Sequence, residues 1–144
     1  MTQEAAAGSC PNIASDLGRL TAQIDRLDRS QAPPNSFWHA MSDGIEKQSP
    51  EDAQHQYDEY VSQNASSCDL GQLARALHAV QDSYSPAHRG FQPWKGTFRT
   101  NPFRLAWHGL QDTFAMPGTY DQAVAASAAI INAAAAACNC LCRK

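Results

Sequence analysis

Four of the five histidines in the chain have a carboxylate four residues later: His39/Asp43, His55/Glu59, His78/Asp82 and His108/Asp112. On a helix, residues four apart share a face, so each pair points two metal-ligating groups in one direction. The fifth, His88, closes the run Leu77-His78-Ala79-Val80-Gln81-Asp82-Ser83-Tyr84-Ser85-Pro86-Ala87-His88. A chain patterned this way predicts several helices whose inward faces converge on metal, because ligands on separate helices meet without strained loops.

The rest of the sequence fits that architecture. Ile13, Leu17, Leu20, Ile24 and Leu27 recur at helical spacing, with Asp16, Arg19, Asp25 and Arg26 between them, and predict one amphipathic helix ending before Pro33-Pro34. Asn35 or Ser36 can cap a short helix carrying Phe37, Trp38, His39, Met41 and Asp43. Ser49-Pro50-Glu51-Asp52 reads as a helix start, with Ser as N-cap and acids in the first turn. The next periodic run is Leu70, Leu73, Leu77, Val80 and Tyr84, ended by Pro86. Arg89 to Thr100 reads as a loop rich in aromatics, and Asn101-Pro102 opens a helix through His108 and Asp112. Thr119 caps an alanine-rich helix of about Tyr120 to Ala137. No stretch alternates like a strand, so the expected fold is all-α, a compact bundle of five or six helices with the metal site between them.

At 144 residues the chain is long enough for one domain with its own core, residues 1–144, with a Cys-rich tail over 138–144. A net charge of −3 offers no basic stripe for duplex DNA. There is no apolar run of membrane-spanning length, and Met1 to Gly8 lacks the basic and apolar parts of a signal peptide. Cys10 and Cys68 could pair with one another. Cys138, Cys140 and Cys142 alternate along the tail, which reads as a frayed end without the Cys-x-x-Cys spacing of a zinc knuckle.

Zinc takes imidazole nitrogen and carboxylate oxygen, activates water, and in pairs holds phosphoryl oxygens, so a multi-zinc helical site points to phosphate-ester hydrolysis. The order His78-x-x-x-Asp82, His88, His108-x-x-x-Asp112 resembles the ligand order of the zinc-dependent phospholipases C and the related fungal single-strand nucleases. Ala76 to Gly90 is also similar to sequences at the C-terminal ends of bacterial Rhs-type polymorphic toxins.

That resemblance implies a phospholipase C-like zinc phosphodiesterase with two or three zincs per chain. It would be the excised toxin domain of a larger protein, a secreted antibacterial effector delivered into target cells and blocked by an immunity protein. His88, His108 and Asp112 would hold one zinc. His78 and Asp82 would join His55 at a second, and His39 would serve a third. Upstream ligands in that superfamily run His, Asp, His, which His39, Asp43 and His55 could supply, and Asp43 or Asp58 would be a bridging ligand or the general base. Two departures stand out: Met1-Thr2 replaces the ligating N-terminal tryptophan, and Asp112 stands where the phospholipases carry Glu.

Trp94 and Arg89 are the expected substrate contacts, with Phe91, Phe98 and Phe103 as a rim meeting lipid or a base, or else as plain core cover. Lys95, Arg99 and Arg104 could receive a phosphate, and Gln81 and Gln111 could orient ligands. Two other readings stay open: a nuclease on the same scaffold, and a non-catalytic helical module whose histidines are structural. A pair such as His55/Glu59, in the most polar helix, is equally a surface pair.

Overall fold

A computed structural model describes residues 1–113, 118–138 and 141–142, with the side chains at 98, 109 and 111–113 outside the description. Six α-helices form the described framework: α1 Thr2–Ala7, α2 Ala14–Thr21, α3 Pro50–Ala65, α4 Leu70–Ser83, α5 Pro102–Thr113 and α6 Thr119–Ala137. Between them lie 3-10 turns and two short strands, β1 Ser42–Asp43 and β2 Pro93–Trp94. The mostly helical expectation holds, and among the described residues no helix is long and apolar enough to cross a membrane.

The start of α3 follows the expected chemistry. The segment carrying His39 starts after Ala32 rather than at Asn35 or Ser36, and Thr119 is the first residue of α6, with Gly118 as its N-cap. The Ser49 hydroxyl accepts from the Asp52 N–H at 3.1 Å, and Asp69 caps α4 by accepting from the Gln72 N–H at 2.9 Å. These caps satisfy N–H groups that the first helical turn leaves without partners. α4 is the central helix. Leu73 and Leu77 on it are fully buried against Ile13, Leu17 and Ile131 from the surrounding helices. α6 reaches that core through Ile131 and the small residues Ala123, Ser127 and Ala134, its buried stripe. Gln81 does not face the ligands. It donates to Thr2 Oγ1 at 2.7 Å and to Ser127 Oγ at 3.1 Å, tying α4 to α1 and α6.

Three local expectations change. The helix expected from Ile13 to Leu27 stops at Thr21, whose hydroxyl donates back to the Leu17 carbonyl at 2.8 Å. Such a back-bond bends helices. A 3-10 turn over Ile24–Arg26 follows and redirects Asp25. The helix expected through His39 to Asp43 is a 3-10 segment, Pro33–His39, closed by Ala40 at φ 52°. That left-handed turn sends Ser42 and Asp43 into a parallel pairing with Pro93 and Trp94, a strand pair that the sequence pattern does not announce. Gly44 is needed there, because a Cβ would sit 2.9 Å from the Trp94 carbonyl oxygen, too close for any side chain.

The tail is the third change. Cys10 and Cys68 do not pair with each other: disulfides join Cys10 to Cys142 and Cys68 to Cys138. Cys138 and Leu141 are buried in the core cluster, so the described part of the tail is packed rather than frayed.

Candidate metal centre

The site lies where α4 passes the 3-10 segment Pro33–His39 and the 3-10 turn Ile24–Arg26. His78 and Asp82, one turn apart on α4, present Nε2 and Oδ2 3.2 Å apart. His39 is held over them by its aromatic neighbours. Trp38 stacks on Tyr60 of α3 at 5.8 Å, and the Arg75 guanidinium of α4 lies 5.5 Å over the Trp38 ring. Burial there pushes the Tyr60 hydroxyl up to about 12.

His39 Nδ1 thereby comes 3.0 Å from His78 Nε2 and 2.9 Å from Asp82 Oδ2. Asp25 closes the group, its Oδ1 3.4 Å from His78 Nε2 and 3.6 Å from His39 Nδ1. The two histidines are buried and Asp25 stands at the open side. Around a tetrahedral zinc with bonds of about 2.0–2.1 Å, neighbouring ligand atoms lie roughly 3.3 Å apart. Among Asp25, His39 and His78 the observed spacing of 3.0–3.6 Å brackets that edge.

The outer partners of His39 suit a bound cation too. His39 Nε2 faces the Ser30 carbonyl at 3.2 Å and the Ser30 hydroxyl at 2.9 Å. A proton on Nε2, donated to that carbonyl, would leave the Nδ1 lone pair for a bound metal ion, the arrangement by which an outer partner orients a metal-ligating imidazole. Two imidazole nitrogens 3.0 Å apart are joined either by a hydrogen bond from one ring to the other or by a metal ion between them. Asp25, His39 and His78 could hold a metal ion, with Asp82 against both histidines.

Electrostatics shows what the site does without metal. Burial lowers the His78 imidazole, but the Asp82 charge and hydrogen bonds to Asp25 and Asp82 outweigh it and push the group up to about 10. Burial would raise the Asp82 carboxyl, yet the charge of His78 and hydrogen bonds from His39 and His78 hold it far below the carboxylate range. The Asp25 carboxyl is lowered chiefly by its hydrogen bond to His78. The cluster is built to keep one cation.

A second group of rings borders the first. His88 Nδ1 donates to the His39 carbonyl. His108 lies between two rings, 4.8 Å from His88 and 5.5 Å from Trp94. Trp94 itself is fixed by its Nε1–H donating to the Gln31 carbonyl at 3.0 Å. A cavity of about 320 Å³ is walled by Asp25, His39, Asp82, His88, Trp94 and His108 among others. Beside it a cavity of about 690 Å³ shares Met41, Trp94 and His108 and adds Lys95, Arg99 and Arg104.

The structure thus brings together His39, His78, Asp82, His88, His108 and Trp94. It does not bring the others. His55 is exposed on α3, 3.9 Å from Glu59, in the surface pairing open to it from the outset. Asp43 is buried elsewhere, its Oδ1 accepting the Ile45 and Glu46 N–H groups at 2.8 and 3.0 Å, because the turn at Ala40 breaks its helical relation to His39. Asp58 is exposed on α3, and Arg89 is exposed outside the walls of both cavities. The side chains of Asp112 and Gln111 lie outside the described residues, as does that of Phe98. Asp25 is the candidate ligand that sequence reasoning missed. It reads as one of several charges on an amphipathic helix, and only the break after Thr21 carries it to the cluster.

Comparison with known proteins adds no relative: no family model matches the chain, and neither does any curated protein or solved structure.

Proposed function

We propose that the domain is a zinc-dependent phosphodiester hydrolase of the phospholipase C type, acting as the toxin domain of a secreted antibacterial effector. One observation carries this reading: a compact His/Asp cluster opens on a cavity whose neighbour is lined by three cationic side chains. Zinc bound there would lower the pKa of water and neutralise charge on a phosphoryl group. Asp25, His39, His78 and Asp82 would hold one ion, and His88 and His108, joined by Asp112 in the resemblance, a second. Lys95, Arg99 and Arg104 suit the phosphate oxygens, Arg by paired hydrogen bonds and Lys as a point charge. Trp94 walls off water beside them. Asp43 and Asp58 stand away from the cavity, so neither supports the role of general base, and Asp25 is read as a ligand.

The upstream assignment shifts accordingly. In the order His, Asp, His of the phospholipase superfamily, Asp25 and His39 supply the second and third members, and no histidine precedes them in this chain. Effector status rests on the toxin-like stretch Ala76 to Gly90, and an immunity protein covering the cavity mouth follows from the same resemblance. The two disulfides support delivery to an oxidising compartment, since such bonds are rare in reducing cytosol.

The test is elemental analysis of protein purified without chelator or metal-affinity tag, with turnover of bis(p-nitrophenyl) phosphate. Two or more zincs per chain, and activity lost to chelator and restored by zinc, is the expected result. No metal after zinc is added back would leave the second reading, a non-catalytic module whose cluster is an ion-pair network closed by a proton. The raised His78 favours that reading in a metal-free chain.

A further inference from the structure

α5 has two faces of opposite character. Leu105 and His108 turn toward the metal cavity. Phe103, Trp107 and Leu110 face solvent, 87%, 63% and 49% exposed. Their spacing of four and three residues lines them up in one stripe about 10 Å long. Elsewhere among the described residues the large hydrophobics left exposed are Met1 and Ile45, each little more than a third uncovered. α5 also lacks the extensive packing that joins the other helices among the described residues.

Charge marks what this stripe fits. From Ser83 to Gln111 the chain has no acidic residue but carries Arg89, Lys95, Arg99 and Arg104, in a protein whose net charge is −3. All four are exposed, and Arg99 and Arg104 flank the cavity beside the metal centre. An aromatic and aliphatic stripe set among cations is the make-up of a helix lying in the interface of an anionic bilayer. Pairing with a second copy would press two cationic segments together, which like-charge repulsion opposes. A single-stranded polynucleotide would use the aromatic faces but gain no stacking from Leu110.

We propose that this face of α5 seats the domain on an anionic phospholipid bilayer. Phe103, Trp107 and Leu110 enter the boundary between headgroups and acyl chains, while Arg99 and Arg104 meet headgroup phosphates. His108, on the opposite face of the same helix, then holds the metal cavity at the membrane surface. The catalytic consequence, a phospholipid substrate, rests on the phosphodiesterase reading; the seating itself does not.

Flotation with phosphatidylcholine vesicles, with and without phosphatidylglycerol, tests it on zinc-loaded and zinc-free protein. The wild type floats with the anionic vesicles, and its tryptophan emission shifts to the blue. A Trp107→Ser/Leu110→Ser variant, altered only at exposed positions and checked for helicity by circular dichroism, loses the shift. Its vesicle-bound fraction falls about tenfold or more, while its turnover of bis(p-nitrophenyl) phosphate matches wild type. Wild type that stays unbound overturns the proposal, as does a variant that still floats. So does a wild-type dimer, seen by light scattering, that the variant lacks, or binding to single-stranded DNA in place of vesicles. Failure of the phosphodiesterase reading is separate: the soluble ester is untouched while flotation persists.

Discussion

The two flanks of α4 are built on different principles. On one side α1, α2 and α6 close around Leu17, Leu73, Leu77 and Ile131, and two disulfides staple the chain end to that core. On the other side stand 3-10 turns, a pair of two-residue strands and the sparsely packed α5, holding a polar cluster and its cavities. Leu77 and His78 are neighbours on α4, yet one anchors the core and the other the cluster, since successive helical residues turn by about 100°. The apolar core is therefore concentrated on one face of α4 and the candidate metal cluster on the other. Changes that separate the two are the way to test that division.

Reduction of the disulfides should have the largest effect, and it should fall on stability. The bonds span sequence separations of 132 and 70 residues, so each removes much freedom from the unfolded chain. Loss of either is expected to cost about 2–5 kcal/mol, read as a lower midpoint in urea for Cys10→Ser or Cys68→Ser. Below that midpoint the variants should still bind zinc. A variant that keeps its stability but loses metal would erase the division.

The mirror-image change is His78→Ala. It removes the ligand in contact with Asp25, His39 and Asp82 together, leaving two carboxylates and an imidazole without their shared centre. Zinc content should fall by at least one per chain, and turnover of bis(p-nitrophenyl) phosphate by roughly two to three orders of magnitude. The fold should survive, by circular dichroism, because the packed face of α4 is untouched. Full metal content in this variant would place the ion elsewhere.

The helical side of this division is legible in sequence because it rests on local rules. Ser49-Pro50 starts α3, and the Leu73/Leu77 spacing marks the buried face of α4. The cluster was half legible, for a similar reason: His78 and Asp82 share a regular helix, so their spacing translates directly into geometry. His39/Asp43 and His55/Glu59 have the same spacing but not the same fate. A left-handed residue at Ala40 cancels the first, and the second sits on a helix face turned to water. Asp25 was invisible because its position depends on the end of α2 at Thr21 and the 3-10 turn that follows, neither of which the apolar spacing announces. The disulfide partners were illegible because tertiary packing, not spacing, chooses among cysteines.

Smaller effects sharpen the boundary of the site. Ser30→Ala removes the hydroxyl 2.9 Å from His39 Nε2 but keeps the carbonyl that also orients the ring. Zinc affinity, by competition with a chromogenic chelator, should drop about tenfold, the low end for loss of an outer partner of a ligating histidine. An unchanged affinity would mean that the carbonyl alone sets the tautomer.

His55→Ala should do least of all. His55 and Glu59 are both mostly exposed, and a pair of that kind contributes at most a few tenths of a kcal/mol. Zinc content and turnover should match wild type, and the urea midpoint should barely move. The comparison with His78→Ala is sharp because the two histidines share one sequence signature, an acid four residues on. If His55→Ala instead lost a zinc, helical spacing alone would be enough to recruit a ligand in this chain, and the boundary drawn here between buried cluster and solvated surface would fall.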